Sequence, residues 1–424
     1  MKLAKIALIK NLTPDDDLAE EILDHQGIFY DSVAPGYLPA TNYDIAILLT
    51  EHQKWINRAK SVLRKEGIIL KLDKVMDINI IRTSLSGQLE ARDRFELRVN
   101  REEQKLVDQL KVAACEMGSI LLRKAFWPKG AKACIVITHD VDWLTYTPYH
   151  KVVFDRNKHK YFSLVYKHLI KHKDFGWNFD TMAKAYDLYG IPSTFFLRPT
   201  YDNSQHMLDK VIKLFDDSHF EFGLHSTGSA YRRKETMATQ LKEFKHNIGR
   251  LPSGIRTHIL KFNVPETWEL ENELGMQYDA SFYYNEYFGF RCEICYPFHP
   301  LVPNRLPIVE LPTSFMDWTA LHRKYKGESI KRVLEKIMTS VERYNGLLVV
   351  NFHNSYLNKE AFSDIWDTFE WVIQRAKHSG YWFATAEQCV NWWKRRTAAD
   401  KSILDQVRNV TSRDPEISLI IENC

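Results

Sequence analysis

The fold is decided by residues 133–142, which read ACIVITHDVD. Residues 133–138 form an apolar run of strand length that leads directly into the polar residues. Because side chains alternate along a strand, Asp140 and Asp142 point to one face and His139 points to the other. Two carboxylates on one face repel each other unless a cation or a proton lies between them, so this pair is a candidate for metal binding or acid–base chemistry. An isolated Asp-x-Asp is equally typical of a turn.

The segments that follow this strand alternate between strand-like and helix-like patterns. Strand-like apolar runs lie at residues 193–197, 220–224, 254–259, 276–280, 309–311, 347–352 and 382–384. Helix-like periodicity covers residues 179–189, 234–248, 265–274, 329–343 and 361–378. This alternation is typical of a parallel sheet, and the number of strands predicts a distorted (β/α) barrel of about seven strands. In such a barrel the functional residues lie at the carboxyl ends of the strands.

The first 125 residues repeat this alternation on a smaller scale. Apolar runs lie at residues 6–9, 45–49 and 68–72, with helix-like stretches at 16–24 and 51–65 between them. We therefore predict a smaller α/β domain of Rossmann-like type ahead of the barrel. Neither a GxGxxG nor a Walker-type loop follows its strands, so this accessory domain is not expected to bind nucleotides. The predicted boundaries are residues 1–125 for this domain, 126–396 for the barrel and 397–424 for a C-terminal extension.

Composition and charge indicate which classes of protein this chain can belong to. The chain has 424 residues, of which 45% are hydrophobic, and this is enough for two domain cores. A net charge of +4 from 58 basic and 54 acidic residues is too balanced for a nucleic-acid-binding protein. Charges interrupt the N-terminal MKLAKIALIK, and no apolar run approaches the roughly 20 residues that span a bilayer. These patterns, with six scattered cysteines, predict a soluble protein that is cytoplasmic or peripherally bound to a membrane.

A basic stretch at residues 151–173 contains the aromatic residues Tyr161, Phe162 and Tyr166. Such a stretch could bind an anionic glycan, a lipid-linked sugar or a membrane surface. A solvated amphipathic helix is the plainer explanation of the same pattern. Both interpretations stay open on the sequence alone.

Polar side chains converge at the ends of several predicted strands. His225 and His353 each come directly after a strand, as the carboxylate pair does on the first one. On the strand at 254–259, alternation places Arg256 and His258 on the same face. Because the carboxyl ends of parallel strands meet at one end of a barrel, these side chains are expected to lie close together.

The order of these motifs resembles that of the polysaccharide deacetylases, also called NodB-homology proteins or carbohydrate esterase family 4. The matching segments, which fall within residues 132–396, are 138–142, 190–196, 221–226, the strand that carries Arg256, and 347–353. The first motif reads HDVD, which resembles a divergent branch of the family. The resemblance implies a distorted (β/α) barrel that catalyses metal-dependent hydrolysis, and it leaves the first 125 residues outside.

The resemblance also implies roles for individual residues. In chain order, it implies Asp140 as general base, Asp142 and His225 as metal ligands, Arg256 as the residue that orients the catalytic carboxylate, Asp317 as the acid that tunes a histidine, and His353 as that histidine and general acid.

One position departs from the family pattern. Family members place a second metal histidine four residues after the first, and here that position is Ser229. Two protein ligands hold a catalytic zinc ion poorly. We expect His258 to replace the missing ligand, because it faces the same way as Arg256. A role for His139, or no metal at all, remains an alternative.

The function that the resemblance implies is removal of N-acetyl or other N-acyl groups from an amino sugar or polysaccharide. The implied cofactor is a divalent metal, with Zn²⁺ first and Co²⁺, Mn²⁺, Ni²⁺ or Fe²⁺ as alternatives. The implied partner is an N-acetylated glycan. Two other functions stay open: a glycan-binding protein that has lost its metal, as Ser229 would suggest, and an amidohydrolase for a small non-sugar amide.

Overall fold

The computed structural model describes residues 2–11, 13–35, 42–49, 52–89, 95–145, 176–201, 205–215, 219–323, 325–398 and 417–422. The basic stretch at residues 151–173 lies outside the described residues. None of the helices within the described ranges is long and apolar enough to cross a membrane.

A four-stranded parallel sheet lies at the start of the chain. Its strands are β1 (Ile6–Ile9), β2 (Asp31–Val33), β3 (Tyr43–Leu48) and β4 (Leu63–Lys71), in the order β2-β1-β3-β4. Its helices are Pro14–His25, Gln53–Val62, Leu72–Val75, Ile78–Leu85 and Arg98–Glu116. The predicted parallel α/β arrangement of this region is therefore confirmed.

Both faces of this first sheet are covered, which explains why its central strands are apolar throughout. On β1, Ala7 and Ile9 pack with Ala59 of the helix Gln53–Val62. Ile6 and Leu8 point the other way into the main hydrophobic core. Strands that are buried on both faces carry near-continuous hydrophobic runs instead of an alternating pattern.

The remaining strands belong to the barrel and to two small pairs. They are β5 (Leu121–Lys124), β6 (Cys134–Val141), β7 (Ser193–Leu197), β8 (Phe220–Ser226), β9 (Gly254–Thr257), β10 (Tyr278–Asp279), β11 (Leu301–Val302), β12 (Asn304–Arg305), β13 (Val309–Glu310), β14 (Thr313–Met316), β15 (Leu347–Asn351), β16 (Trp382–Ala384) and β17 (Leu419–Glu422). The large sheet runs β13-β10-β9-β8-β7-β6-β15-β14, with β16 paired to β6 beside this path.

The chain segment 309–316 closes this sheet into a barrel. Its first part, β13, pairs with β10, and its second part, β14, pairs with β15. The two ends of the path are thus joined by one continuous segment, and the closed ring consists of β6, β7, β8, β9, β10, this segment and β15. All of the strand pairings in the ring are parallel. The predicted distorted (β/α) barrel of about seven strands is confirmed.

The helices of this region are Phe179–Tyr189, Gln205–Leu214, Lys234–Ile248, Glu266–Glu273, Asp317–His322, Glu328–Arg343, Ser363–His378 and Ala386–Ala398. Two of these helices, Phe179–Tyr189 and Lys234–Ile248, are each followed directly by a glycine. Gly190 follows Tyr189 at φ 58°, and Gly249 follows Ile248 at φ 86°. Glycine adopts this left-handed conformation without a Cβ clash, which is why the predicted ends of these helices are correct.

The first sheet and the barrel share one hydrophobic core, which contains residues from Ala4 to Ile417. Ion pairs lie within this contact: the buried His25 binds Glu21 and Glu103, and the half-buried Arg305 binds Glu21. Near the C-terminus, β17 pairs with β5 in antiparallel fashion. The domain boundaries at residues 125 and 396 therefore remain a proposal from the sequence, because the regions on either side of them pack against each other in the structure.

The cysteines do not identify a cellular compartment. Cys134, Cys292, Cys295 and Cys389 are buried free thiols. Cys115 is disulfide-bonded, which the scattered spacing had not suggested.

Candidate active site

Strand β6 presents its polar residues to two different environments. His139 faces outward, where its Nδ1 donates to the carbonyl oxygen of Phe352 at 2.6 Å and its Nε2 accepts from the hydroxyl of Tyr186. Burial lowers the pKa of His139 to about 3, so the ring is neutral. Because both ring nitrogens are bound on this face, His139 is not available to the carboxylates at Asp140 and Asp142, which point the other way.

The structure brings together three residues that could hold a metal ion. Among the described residues, Asp142, His225 and His258 offer ligand atoms that all lie within 4.8 Å of one another. The Nε2 of His225 lies 3.3 Å from Asp142 Oδ1, and the Nε2 of His258 lies 3.2 Å from the same oxygen. Two nitrogens and one oxygen are a donor set typical of catalytic zinc and related divalent cations.

Two of the three ligand atoms are buried without a hydrogen-bond partner, namely Asp142 Oδ1 and His225 Nε2. Buried polar atoms normally have hydrogen-bond partners, so two buried atoms that lack them and face each other are suited to binding a cation. The Nδ1 of His225 donates to the carbonyl oxygen of Arg256 at 3.0 Å. This hydrogen bond fixes the tautomer whose Nε2 lone pair faces Asp142, as is usual for metal-binding histidines.

The charge state of Asp142 agrees with this donor set. Burial of its carboxyl group opposes ionisation, but the neighbouring His225 and His258 hold its pKa well below the usual value. Asp142 is therefore an anion, which is the form that binds a cation.

His258 reaches this cluster by a route that strand alternation did not predict. The predicted strand at 254–259 ends at Thr257, and residues His258–Leu260 form a short 3-10 turn. Ile259 and Leu260 adopt φ values of 61° and 50°, which are strained for residues with a side chain. The turn is held by Thr257 Oγ1, which donates to the carbonyl oxygen of Lys261 at 2.8 Å, and by Asn285 Nδ2, which donates to that of Ile259 at 2.7 Å.

The carboxylate of Asp140 is held at both oxygens. Arg256 Nη1 lies 3.1 Å from Oδ1, and Asn351 Nδ2 donates to Oδ2 at 2.9 Å. Arg256 is fully buried and is itself fixed, since its Nε donates to the carbonyl oxygen of Ala280 at 2.8 Å and its Nη2 to Thr313 Oγ1 at 3.0 Å. Burial raises the pKa of Asp140, but Arg256 together with His225 and His353 outweighs burial and lowers it overall.

His353 and Asp317 form a buried pair beside the cluster. His353 Nδ1 donates to Asp317 Oδ1 at 2.6 Å, and the backbone N–H of His353 donates to Asp317 Oδ2 at 2.7 Å. The remaining ring nitrogen, Nε2, lies 3.9 Å from Asp142 Oδ2 and so faces the candidate metal ligands. Burial lowers the pKa of His353, but Asp317, together with Asp140 and Asp142, outweighs burial and raises the pKa to about 9.

All seven residues named from the sequence are thus brought to one end of the barrel: Asp140, Asp142, His225, Arg256, His258, Asp317 and His353. The sequence analysis missed Asn351, Thr138 and Thr313, which bind Asp140 or Arg256. Asn351 carried a signal in the sequence, because it lies two residues before His353 and continued strand alternation would place both side chains on one face.

No protein-family model and no curated protein matches the chain. Several solved structures are similar to it. A putative polysaccharide deacetylase from Mycobacterium smegmatis is 17% identical with a TM-score of 0.46, and the match covers 66% of this chain and 96% of the other. A probable polysaccharide deacetylase from Pseudomonas aeruginosa is 15% identical with a TM-score of 0.45, covering 65% and 94%. An allantoinase is 14% identical with a TM-score of 0.45, covering 65% and 93%. These likenesses concern the fold alone.

Proposed function

We propose that this protein is a metal-dependent hydrolase that removes N-acetyl or other N-acyl groups from an amino sugar or polysaccharide. One observation carries the proposal. A carboxylate held by an arginine, Asp140, and a histidine held by a carboxylate, His353, flank a cluster of three metal-ligand side chains. Amide hydrolysis needs this combination, because water must lose a proton as it attacks and the nitrogen must gain one as it leaves.

We assign the metal to Asp142, His225 and His258. The unsatisfied Asp142 Oδ1 and His225 Nε2 support this assignment. The donor set favours Zn²⁺, with Co²⁺, Mn²⁺, Ni²⁺ and Fe²⁺ as alternatives. A divalent cation in such a site lowers the pKa of water and stabilises negative charge on the acyl oxygen.

The side chains account for the proton transfers. Asp140 takes a proton from water as the water oxygen bonds to the acyl carbon. His353 Nε2 gives a proton to the amide nitrogen as the carbon–nitrogen bond breaks. The immediate products are a carboxylic acid and an amine. The acid ionises by giving its proton to the amine or to solvent, and the proton on Asp140 returns to His353 through solvent, so atoms and charge balance. Asp317 keeps the His353 ring oriented with its Nδ1 bound and its Nε2 facing the site.

Two alternatives use the same site differently. Ser229 occupies the position where relatives carry a metal histidine, and this favours a glycan-binding protein without catalysis. The geometry of His258 favours the enzyme, because that side chain supplies the third donor. A small non-sugar amide is the other candidate substrate.

Release of acetate from N-acetylated glucosamine oligomers by the Zn²⁺-loaded protein tests the proposal. We expect release by the wild type and by Asp187→Asn, whose exposed side chain lies on the helix Phe179–Tyr189, and none by Asp142→Ala. Release from a small N-acetyl amide but not from the oligomers would favour the amidohydrolase. Oligomer binding without release of acetate by the metal-loaded wild type would favour the binding protein.

A further inference from the structure

We infer that Asn351 is a positioning residue that, together with Arg256, fixes the orientation of the Asp140 carboxylate. Its kinetic consequence rests on the hydrolase function proposed above. Asn351 is the last residue of β15, which pairs with β6, and its register partner is Thr138. The side chain is 1% exposed, so solvent cannot replace the hydrogen bonds that it makes.

Four side chains form a closed ring of hydrogen bonds. Asp140 Oδ1 accepts from Arg256 Nη1 at 3.1 Å, and the same nitrogen donates to Thr138 Oγ1 at 2.6 Å. Thr138 Oγ1 lies 3.2 Å from Asn351 Oδ1 and 3.0 Å from the carbonyl oxygen of Val350, so its one proton is shared between these two acceptors. Asn351 Nδ2 then donates to Asp140 Oδ2 at 2.9 Å and completes the ring.

The chemistry of the ring determines which way the amide of Asn351 is turned. An ionised carboxylate only accepts hydrogen bonds, so the NH₂ group must face Asp140 and the carbonyl oxygen must face Thr138. The hydroxyl of Thr138 is consistent with this orientation, because it accepts from Arg256 and shares its own proton between Asn351 Oδ1 and the carbonyl oxygen of Val350. Each donor and acceptor in the ring is therefore used in a consistent direction.

This arrangement restricts rotation of the carboxylate. With Arg256 alone, Asp140 could turn about its terminal torsion and keep one strong hydrogen bond. A second donor on Oδ2 removes that freedom, since any rotation breaks one of two charge-assisted hydrogen bonds. Catalytic groups held within a few tenths of an ångström of the productive geometry react faster than groups that rotate.

The test compares Asn351→Leu with the wild type in two measurements. Asn351→Leu has a side chain of similar size without a donor. We expect kcat to fall about 10- to 100-fold, the effect of losing a hydrogen bond to a charged group, while KM and Zn²⁺ content change less than about twofold. In crystal structures, we expect the Asp140 carboxylate to be rotated away from its wild-type position in the variant.

Ser314→Ala is the matched control. Its Oγ donates to the carbonyl oxygen of Val349 at 3.1 Å on the neighbouring strand pair, so it loses one buried hydrogen bond without contact to the ring. We expect its kcat to stay near that of the wild type. If Asn351→Leu yields little folded protein, Asn351→Ala removes the donor without placing added apolar bulk or charge beside Asp140, with the same expected results.

Two results would overturn the inference. In one, the Asp140 carboxylate keeps its wild-type position in Asn351→Leu; in the other, the kcat of Asn351→Leu equals that of Ser314→Ala. If the wild type releases no acetate from any substrate, the proposed function fails. The crystal structures then still decide whether Asn351 orients Asp140.

Discussion

The Nε2 of His258 lies 3.2 Å from Asp142 Oδ1, although the strand that leads to His258 ends one residue earlier, at Thr257. A short strained turn, and not strand alternation, therefore directs this ring into the barrel. The consequence is a third donor beside Asp142 and His225, which the side chain of His258 supplies.

His258→Ala should weaken Zn²⁺ binding. Loss of groups that merely orient metal ligands already costs about 10- to 100-fold in affinity, so we expect loss of a direct ligand to cost more than about 100-fold. Competition with a chelator of known affinity measures the change. His246→Ala is the control, because His246 is exposed on the helix Lys234–Ile248, and its affinity should equal that of the wild type.

His353→Gln should lower kcat with little effect on metal content. A general acid typically contributes about 10²- to 10⁴-fold, and the glutamine cannot supply its proton. Steady-state kinetics with an N-acetylated oligomer, paired with metal analysis, measures both quantities. The exposed His378, at the end of the helix Ser363–His378, provides the control variant His378→Gln. Equal kcat values for the two variants would rule out His353 as the acid.

The strained backbone after His258 should lower the free energy of unfolding, and a substitution that relieves the strain should raise it. Ile259 is 55% exposed at φ 61°, so its side chain gains little from burial while its backbone is strained. Asparagine tolerates this conformation, and Ile259→Asn should raise the free energy of unfolding by about 1 kcal/mol. Urea denaturation measures the change. Leu251→Asn, at a position with 54% exposure, is the control and should show no gain.

The buried His25 should make stability depend on pH. Its Nδ1 lies 2.8 Å from Glu103 and its Nε2 lies 3.0 Å from Glu21. Burial lowers the pKa of His25, but Glu103 and Glu21 outweigh burial and raise it to about 9. The histidine of the unfolded chain titrates near 6.5, so its stabilising contribution is complete below about that pH and is lost as pH rises through about 9.

Comparison of His25→Gln with the wild type isolates this contribution. We expect the variant to be less stable at pH 6, by about 1–3 kcal/mol, and the difference to shrink towards pH 9.5. Urea denaturation at both pH values measures it. A difference that stays constant or grows with pH would contradict the assignment of a charged His25.

Much of the barrel could be predicted from local patterns. The helices Phe179–Tyr189 and Lys234–Ile248 have their predicted bounds, because glycine follows each of them. The strand Thr313–Met316 was missed. It follows Pro312 directly, and it begins with the buried polar residues Thr313 and Ser314, which hydrogen-bond to Arg256 and to the carbonyl oxygen of Val349, so it lacks an apolar strand pattern. Its role in closing the barrel depends on pairing with β15, which is distant in sequence.

The site residues that could be predicted from the sequence are those with a carboxylate or imidazole side chain at the end of a predicted strand. Asp140, Asp142, His225 and His353 are of this kind. The spacing of Asn351 from His353 was a signal, but an asparagine at a strand end is also typical of a turn, so its role was not recognised. Its role became apparent only when its amide was found 2.9 Å from Asp140.

Calorimetric titration of the metal-free protein with Zn²⁺ tests the central claim most directly. The account predicts that the wild type binds one ion per chain and that Asp142→Ala loses this binding, while Asp187→Asn keeps it. Absence of binding by the folded wild type, or equal binding by Asp142→Ala, would contradict the assignment of Asp142, His225 and His258 as a metal centre.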